Sequence, residues 1–259
     1  MSPPPRQVAE VLSKRSQLFD TINSSPKSKS VLVDTLECSR STISRGLGEL
    51  RDAGLVYYED GKWRPTNIGC LCRRAQATYL DALDDYTTVS PVISDLPPHA
   101  KLDEAMLIGA TAYQAPSTTP DILFEKILGY VDGTNRVRIV TPAVMLLFAE
   151  KFYDCITATD SYGVDIIIPS DALKRLRTTC TDITSTIQSD DSFRLHHSDS
   201  TYPFGLWLID DDYAGVAVFE DHGISCFLIN SNPNALTWAT EMYESAKADS
   251  CMTLAEPDR

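Results

Sequence analysis

The stretch from residue 39 to 58, SRSTISRGLGELRDAGLVYY, constrains the fold more than any other part of the chain. Its apolar residues recur every three or four positions, at Ile43, Leu47 and Leu50. Because an α-helix turns about 100° per residue, these residues share one side of a helix, and polar residues such as Arg45 occupy the other. Ser39 or Ser41 can cap the first turn, and Gly54 can adopt the left-handed conformation that ends a helix. The pattern predicts an amphipathic helix that stops at Gly54.

After this helix the pattern changes to that of a β-hairpin. Leu55 to Tyr58 are strand formers, Glu59-Asp60-Gly61 is typical of a tight turn, and Trp63-Arg64 can return as a second strand. The segment Glu49 to Val56, ELRDAGLV, resembles the helix exit that precedes the wing in winged-helix regulators of bacteria and archaea. This resemblance covers residues 6–80 and implies a DNA-binding domain.

Two helices are predicted before this one. Apolar residues at helical spacing place them within residues 6–22 and 28–36, with a break at Pro26 between them. Glu37-Cys38-Ser39 is then the turn between the second and third helices of a helix-turn-helix unit. In such units the helix after the turn enters the major groove of DNA.

Charge is divided unevenly along the chain and favours DNA as the partner of the first part. Residues 1–80 carry a formal charge of +4, whereas residues 81–259 carry −17. We predict DNA contacts from residues on the polar side of the third helix and on the wing: Arg40, Ser41, Thr42, Ser44, Arg45, Lys62 and Arg64. Arg73 and Arg74 are further candidates for phosphate contacts. Arg45 is the candidate for base recognition, because an arginine can donate two hydrogen bonds to one guanine.

A fourth helix is predicted to start at Thr66-Asn67-Ile68-Gly69, with Pro91 and Pro97-Pro98 marking its far side. It carries the apolar residues Leu71, Ala75, Tyr79, Leu80 and Leu83. We therefore expect it to form the contact between two subunits of a homodimer. The predicted organisation is a winged helix-turn-helix domain at 1–66, a linker and dimerisation helix at 67–98, and an α/β effector-sensing domain at 99–259.

The second part of the chain has the pattern of a mixed α/β domain. Apolar runs at 105–109, 137–140 and 164–168 are predicted strands. They alternate with helices predicted at 120–131, 142–158 and 171–188, which favours a parallel arrangement. Antiparallel strands are then predicted at 193–195, 204–209, 214–219 and 224–229, before a final helix at 234–247. The fold class is therefore an N-terminal winged helix-turn-helix followed by an α+β or α/β domain.

Ligands of open α/β sheets bind beyond the carboxyl ends of the strands, where the N-termini of helices present free amides. The predicted effector-binding residues are those at or near such ends: Tyr113, Thr141, Ser170, His196 and Tyr202. Thr141 and Ser170 can hold a carboxylate or phosphate group, or can serve as ordinary helix caps. Trp207 alternates with apolar neighbours and is expected in the core.

The composition indicates the salt concentration in which the protein functions. The chain has 25 Asp and 11 Glu against 9 Lys, which resembles proteins of halophilic archaea that keep concentrated salt in the cytoplasm. Its apolar content of 43% is enough for two cores, and no stretch is long and apolar enough to cross a membrane. No signal peptide is apparent, and seven cysteines without paired spacing are typical of free thiols. We expect a cytoplasmic protein.

The order of elements over nearly the whole chain resembles the archaeal methanogenesis-regulator family with its middle domain. It also resembles sugar-responsive archaeal regulators whose sensor has a phospholipase D-like fold. The resemblance implies a dimeric transcription factor that binds double-stranded DNA and a small effector. The catalytic motif of phospholipase D needs a histidine two residues before a lysine, which does not occur in this sequence. We predict no catalytic residue, no metal site and no cofactor.

Two alternatives are open at this point. Cys38, Cys70 and Cys72 lie in the first part of the chain and would suit a redox-responsive or metal-responsive regulator. If residues 67–83 are helical, however, Cys70 and Cys72 point about 200° apart. Wing-shaped domains also serve as protein-interaction modules that bind no DNA.

Overall fold

The computed structural model describes residues 3–98, 100–115, 121–158, 162–179, 181–220 and 223–252. The chain forms two compact units, Met1–Leu83 and Asp84–Arg259. Each unit has its own hydrophobic core.

The first unit is a winged helix. Its helices are α1 (Pro5–Ser24), α2 (Lys29–Leu36), α3 (Arg40–Asp52) and the beginning of α4 (Asn67–Ser94). Between α3 and α4 lies an antiparallel hairpin of β1 (Val56–Glu59) and β2 (Lys62–Pro65). An isolated bridge between Lys27 and Trp63 ties this hairpin to the segment between α1 and α2. The predicted winged helix-turn-helix is confirmed.

Local signals in the sequence explain the ends of α3. The Ser39 Oγ accepts a hydrogen bond from the Thr42 backbone amide at 3.1 Å, so Ser39 is the cap. Gly54 adopts a left-handed conformation with φ of 72°, as expected for a residue that ends a helix. At the tip of the hairpin Asp60 and Gly61 both have positive φ, at 51° and 76°, which matches the right-handed twist of the two strands. The apolar side of α3 is buried against α1 and α2.

The helix α4 begins as predicted and ends between Pro91 and the Pro97-Pro98 pair. Thr66 Oγ1 accepts a hydrogen bond from the Gly69 amide at 3.0 Å and donates to the Gly54 carbonyl at 2.7 Å, which links the start of α4 to the end of α3. Pro91 lies inside the helix, and α4 continues to Ser94. A proline within the last turn removes one hydrogen bond to the preceding turn, and the burial of Val89 and Val92 in the second core offsets that loss.

The second unit contains a mixed sheet with helices on both faces. Its helices are the end of α4, α5 (Glu104–Leu107), α6 (Asp121–Val131), α7 (Leu146–Thr157), α8 (Ser170–Thr179), α9 (Thr181–Ser189) and α10 (Pro233–Ala248). Its strands are β3 (Thr111–Gln114), β4 (Arg136–Val140), β5 (Gly163–Pro169), β6 (Phe193–Ser198), β7 (Gly205–Ile209), β8 (Tyr213–Glu220), β9 (Gly223–Asn230) and β10 (Cys251–Met252). The strand order is β10-β6-β5-β4-β7-β8-β9-β3. The strands β4, β5 and β6 are parallel to one another, and the remaining pairs are antiparallel.

The two faces of this sheet carry separate clusters of buried side chains. Val140, Leu206 and Val216 point to the face covered by α10, α5 and the end of α4. Val137 and Trp207 point to the opposite face, which α6 and α7 cover. We call these the α10 face and the α7 face. The predicted fold class, a winged helix followed by a mixed α/β domain, is confirmed.

Four predictions for the second unit were wrong. The strand at 193–195 was expected to be antiparallel, but β6 is parallel to β5. Residues 105–109 were expected to form a strand, but Glu104–Leu107 is the short helix α5 and the first strand starts at Thr111. The helix expected from 142 begins at Leu146. The helix expected at 171–188 is divided into α8 and α9, and residue 180 between them lies outside the described residues.

None of the helices in the described ranges combines the length and the apolar character needed to span a membrane.

Candidate nucleic-acid interface and interior cavity

The outward side of α3 is open to solvent and carries unpaired positive charge. The side chains predicted to contact DNA from this helix are all exposed: Arg40, Ser41, Thr42, Ser44 and Arg45. Lys62, near the tip of the wing, is exposed as well. Within the described part of the chain, Arg40, Arg45 and Lys62 take part in no ion pair. Their charges are therefore available to an anionic partner.

Buried contacts hold α3 in place beneath this exposed side. Ile43, Leu47 and Leu50 are almost fully buried, and a Cβ added to Gly46 would lie 2.7 Å from a methyl carbon of Leu18. This close approach lets α1 lie against α3, and a larger residue at position 46 would push the helices apart.

An ion pair at the edge of the same contact also fixes α3. Arg15 Nε donates a hydrogen bond to Glu49 Oε2 at 2.8 Å, and Lys14 Nζ donates to Glu49 Oε1 at 3.2 Å. The hydrogen bond from Arg15 is the main reason why the pKa of Glu49 is lowered to about 2. The carboxylate of Glu49 is thus ionised in the folded protein and neutralises charges of α1, and Arg40 and Arg45 stay free.

The wing presents both charge and aromatic surface. Tyr57 and Tyr58 are exposed, and the ring of Tyr58 packs against Trp63 with centroids 5.3 Å apart. Arg64 is half-buried, and its Nε lies 3.3 Å from Glu59 Oε2. Arg64 is therefore partly neutralised, unlike Lys62. The sequence predicts the strand around Tyr57 and Tyr58 but does not reveal that their side chains are exposed, because this depends on which face of the hairpin packs on the helices.

Arg73 does not offer a free charge to DNA. Its guanidinium donates to both carboxylate oxygens of Asp20, at 2.8 and 2.7 Å, and so joins α4 to α1. The hydrogen bond to Asp20 raises the pKa of Arg73, so the pair is ionic. The prediction of a phosphate contact did not foresee this partner, which is 53 residues away in sequence. Arg74, the next residue, is exposed.

The part of α4 that belongs to the first unit carries an uncovered apolar stripe. Ile68, Leu71, Tyr79 and Leu83 are 56%, 52%, 62% and 39% exposed. With Ala75 they fall within an arc of about 120° on the helix, and Leu80 lies beside that arc. A contiguous exposed apolar surface on a helix is typical of an interface with another protein.

The three cysteines of the first unit are half-buried and free. Cys72 packs against the core of the winged helix, and Cys38 lies at the edge of the same core. Cys70 Sγ donates to Asn23 Oδ1 at 3.3 Å. Across the described ranges, no group of three or more His, Cys, Asp or Glu residues is arranged to hold a metal ion.

The α7 face of the sheet contains a partly open cavity of about 90 Å³. Its walls come from strands β4 to β9 and from helices α7 to α9, and they include Phe148, Phe152, Ile166, Leu176, Phe193 and Trp207. Two threonines, Thr141 and Thr184, are the polar residues of the described lining, in which no charged residue occurs.

The five predicted effector residues are not brought together. Tyr113 lies in β3 at one edge of the sheet, where its hydroxyl is 3.0 Å from that of Tyr130. His196 lies in β6, six strands away, which is roughly 29 Å at about 4.8 Å per strand. Tyr113 was expected beyond the end of a parallel strand, but it sits within an antiparallel one.

The other predicted effector residues lie in three different surroundings. Thr141 lines the cavity, and its Oγ1 donates to the Ala143 carbonyl at 2.7 Å, so Thr141 does not cap α7. Ser170 Oγ lies 3.1 Å from His197 Nδ1 and is not part of the cavity wall. Tyr202 packs against the core of the α10 face.

His196 belongs to a buried polar cluster on the α10 face. It was expected at the end of a strand, but β6 continues to Ser198, and His196 Nε2 lies 2.7 Å from Asp165 Oδ1. Lys247 Nζ of α10 donates to Asp165 Oδ2 at 2.5 Å. Burial acts to raise the pKa of Asp165, but the hydrogen bond from Lys247 and the nearby His196 outweigh it, so this pKa lies below its ordinary value. The cluster fastens α10 to the parallel part of the sheet.

Comparison with family models gives two matches. Residues 120–249 match the model described as methanogenesis regulatory protein FilR1, middle domain. Residues 8–87 match the model described as HVO_A0261 N-terminal domain. A search among curated proteins gave no match.

Among solved structures, the chain is similar to TrmBL2, described as an archaeal chromatin protein that shows a novel mode of DNA binding. The two are 10% identical, with a TM-score of 0.41, over 95% of this chain and 98% of that one. NucT from Helicobacter pylori is 11% identical with a TM-score of 0.44, over 56% of this chain and 98% of that one. Nuc from Salmonella typhimurium, a phospholipase D family member, is 11% identical with a TM-score of 0.42, over 57% of this chain and 99% of that one.

Proposed function

The chain belongs to the family of the methanogenesis regulatory protein FilR1 by its middle domain, and on this premise we propose that it is a DNA-binding transcriptional regulator. In this proposal it acts as a homodimer that recognises a two-fold symmetric operator and responds to a small effector in the second unit. The proposal rests on one observation above all, the exposed polar side of α3 with the unpaired Arg40 and Arg45.

The chemistry of that surface suits a DNA duplex. A major groove admits one α-helix, and Ser41, Thr42, Ser44 and Arg45 follow one another along the exposed side of α3. Arg45 would donate to a guanine, while Arg40, Lys62 and Arg64 would contact phosphates. The hydroxyl groups of Ser41 and Thr42 lie near the helix N-terminus, where the helix dipole also favours a phosphate.

The apolar stripe of α4 supports a dimer. Burying the exposed side chains of Ile68, Leu71, Tyr79 and Leu83 against the same residues of a second copy would remove them from water, at about 25 cal/mol per Å² of apolar surface. Such an interface is two-fold symmetric, and it would present two recognition helices to two half-sites.

The effector response is assigned to the second unit, in which the cavity on the α7 face is the candidate site. Since α4 contributes residues to both units, a change in the second unit could alter the dimer interface through this helix. An effector shifts the equilibrium only by the difference in its affinity for the two states of the protein. Thr141 is the one residue of the predicted effector set that lines this cavity. Tyr113, Ser170, His196 and Tyr202 stay predictions.

The acidic composition supports a working environment of concentrated salt in a cytoplasm. With 36 acidic residues against 23 basic ones, the chain repels itself in dilute buffer and is shielded in molar salt, where the screening length is about 3 Å.

A selection experiment in concentrated KCl tests the proposal. The full chain would be incubated with random duplex DNA at about 2 M KCl, and the bound fraction would be sequenced over several rounds. We expect a two-fold symmetric motif with half-sites about one helical turn apart, and its loss for Arg45→Ala. Recovery of no motif by the wild-type chain would contradict DNA recognition and favour the protein-interaction alternative. The redox alternative is tested by repeating the selection with and without an oxidant, for the wild type and for a variant in which Cys38, Cys70 and Cys72 are replaced by Ser. This alternative requires that the oxidant change DNA binding by the wild type and not by the variant.

A further inference from the structure

We propose that the cavity on the α7 face binds an uncharged, mainly apolar molecule of about benzene size that carries one hydrogen-bonding oxygen. This inference rests on the proposed effector response and names the chemical class of the effector. It departs from the sequence-based expectation of a carboxylate or phosphate ligand held by Thr141 and Ser170.

The lining of the cavity excludes an anion. The described residues around it are aliphatic or aromatic apart from Thr141 and Thr184, and none of them is charged. A carboxylate or phosphate placed there would lose its hydration without gaining a cation as partner, which is strongly unfavourable. The cluster of Asp165, His196 and Lys247 lies on the other face of the sheet and offers no compensation.

One hydroxyl of the lining can bind a ligand oxygen. Trp207 lines the cavity and is only 4% exposed, but its Nε1 is buried out of reach of a water-sized group and cannot donate to a ligand there. The ring is fixed by edge contacts with Phe148 and Phe152, with centroids 5.9 and 5.8 Å away. Thr141 Oγ1, which already donates to Ala143, can in turn accept a hydrogen bond from a ligand hydroxyl.

The volume of the cavity sets the size of the ligand. An engineered apolar cavity of about 150 Å³ stays dry and binds benzene. The present cavity of about 90 Å³ is smaller and is lined by flexible Met145 as well as by rigid rings. The side chain of Met145 is flexible and can adjust to a bound ligand. Because the volume is small, one compact ring with a single substituent is the largest ligand expected. A water molecule would be poorly stabilised in this cavity, because a buried water needs two to four polar partners.

Calorimetric titration of the full chain with three small probes tests this inference. Toluene has the ring alone, phenol adds the oxygen, and benzoate adds a charge. We expect phenol to bind most tightly, toluene about three- to tenfold more weakly, which is the range of one neutral hydrogen bond, and benzoate not at all. Tighter binding of benzoate than of phenol would overturn the proposal, as would the absence of binding for both neutral probes.

Two variants and a control locate the binding. Thr141→Val removes the hydroxyl and keeps the size of the side chain, so phenol should weaken to the affinity of toluene, while toluene should change little. Ala149→Leu on α7 fills the cavity and should abolish binding of both probes, whereas Ala158→Leu, at the exposed residue that follows α7, should leave it unchanged. Circular dichroism checks that each variant is folded. Equal affinities of all four proteins would place the probes elsewhere and overturn the assignment.

Failure of this inference and failure of the proposed function give different results. The titrations involve no DNA. If the protein binds phenol but selects no operator, the cavity assignment stands and the regulator assignment is contradicted. If the protein selects an operator but binds neither toluene nor phenol, only the regulator assignment stands.

Discussion

The guanidinium of Arg15 donates two hydrogen bonds to the carboxylate of Glu49, at 2.8 and 3.1 Å, and so joins the first helix of the winged unit to the helix that would enter DNA. The same carboxylate accepts a hydrogen bond from Lys14. Because a bidentate pair has a fixed geometry, it sets the rotation of α3 about its axis more precisely than apolar contacts do. The direction in which Arg45 points therefore depends in part on Glu49.

Replacing Glu49 with Gln should destabilise the winged unit at neutral pH. The pKa of Glu49 is lowered to about 2 in the folded protein, against an ordinary value of 4.5, so its ionised form stabilises the fold. This contribution is complete above about pH 4.5 and is lost as the pH falls toward 2. Urea unfolding, followed by Trp63 fluorescence after Trp207 and Trp238 are replaced by Phe, measures it. The difference between wild type and variant should shrink between pH 4.5 and 2.

Glu10→Gln is the matched control, since Glu10 is exposed on α1 and forms no ion pair in the described part of the chain. It should leave the urea midpoint unchanged at every pH. A Glu49→Gln midpoint equal to that of wild type at pH 7 would contradict a stabilising role for the pair.

Arg45→Ala should remove sequence preference at one or two operator positions. The exposed guanidinium can make two hydrogen bonds to a guanine, and their loss costs about 1–3 kcal/mol of discrimination. Competition binding with the operator and with random duplexes measures the ratio of the two affinities. Arg51→Ala is the control, because Arg51 lies at the other end of α3 and pairs with Asp52. Equal losses on operator and random DNA for Arg45→Ala would assign Arg45 to a phosphate contact instead.

The winged unit could be predicted from the sequence because its signals are local. The spacing of Ile43, Leu47 and Leu50 defines the buried side of α3, and Gly54 and Gly61 mark positions that need a positive φ. Each of these signals acts within a few residues of its own position. Once the buried side of α3 is known, the residues on its exposed side are known as well.

The errors in the second unit have non-local causes. Residues 105–109 have the apolar character of a strand, but Asp103 caps a helical turn there by accepting from the Ala105 amide at 2.9 Å. The side chain of Asn230, which is more than 100 residues away, then donates to the carbonyls of Ala105, Met106 and Ile108. Periodicity cannot reveal such partners. The cavity could not be predicted from the sequence either, because its walls come from strands and helices spread over residues 139–224.

A charged residue in the apolar stripe of α4 should break the proposed dimer. Leu71→Glu places a carboxylate on the stripe, where burial against a second copy would leave it without a partner. Light scattering after gel filtration in concentrated KCl should show a dimer for wild type and a monomer for the variant. Asp81→Arg is the control, since Asp81 is exposed on the opposite side of α4. A wild-type monomer at micromolar concentration would refute dimerisation through this helix.

Asp165→Asn should destabilise the second unit by about 3 kcal/mol, since it leaves Lys247 and His196 without their anionic partner beneath α10. Unfolding in urea can be followed in a Trp63→Phe background, in which Trp207 and Trp238 report on this unit. Asp211→Asn is the control, because its side chain is 93% exposed although it lies 3.4 Å from Arg138. A loss below about 1 kcal/mol for Asp165→Asn would show that the cluster is dispensable for stability.

Lys62→Ala should weaken binding to all DNA sequences alike and reduce its dependence on salt. A contact between lysine and phosphate releases condensed cations, so each one contributes about 0.9 to the slope of log affinity against log salt. Because Lys62 is exposed and unpaired within the described residues, its removal should lower the slope by about 1. Arg64→Ala should change the slope less, since Glu59 already neutralises part of its charge. Lys174→Ala, an exposed lysine of the second unit, is the control and should leave the slope unchanged. Titrations from about 0.2 to 1 M KCl give the slopes, and an unchanged slope for Lys62→Ala would mean that the wing does not touch the DNA backbone.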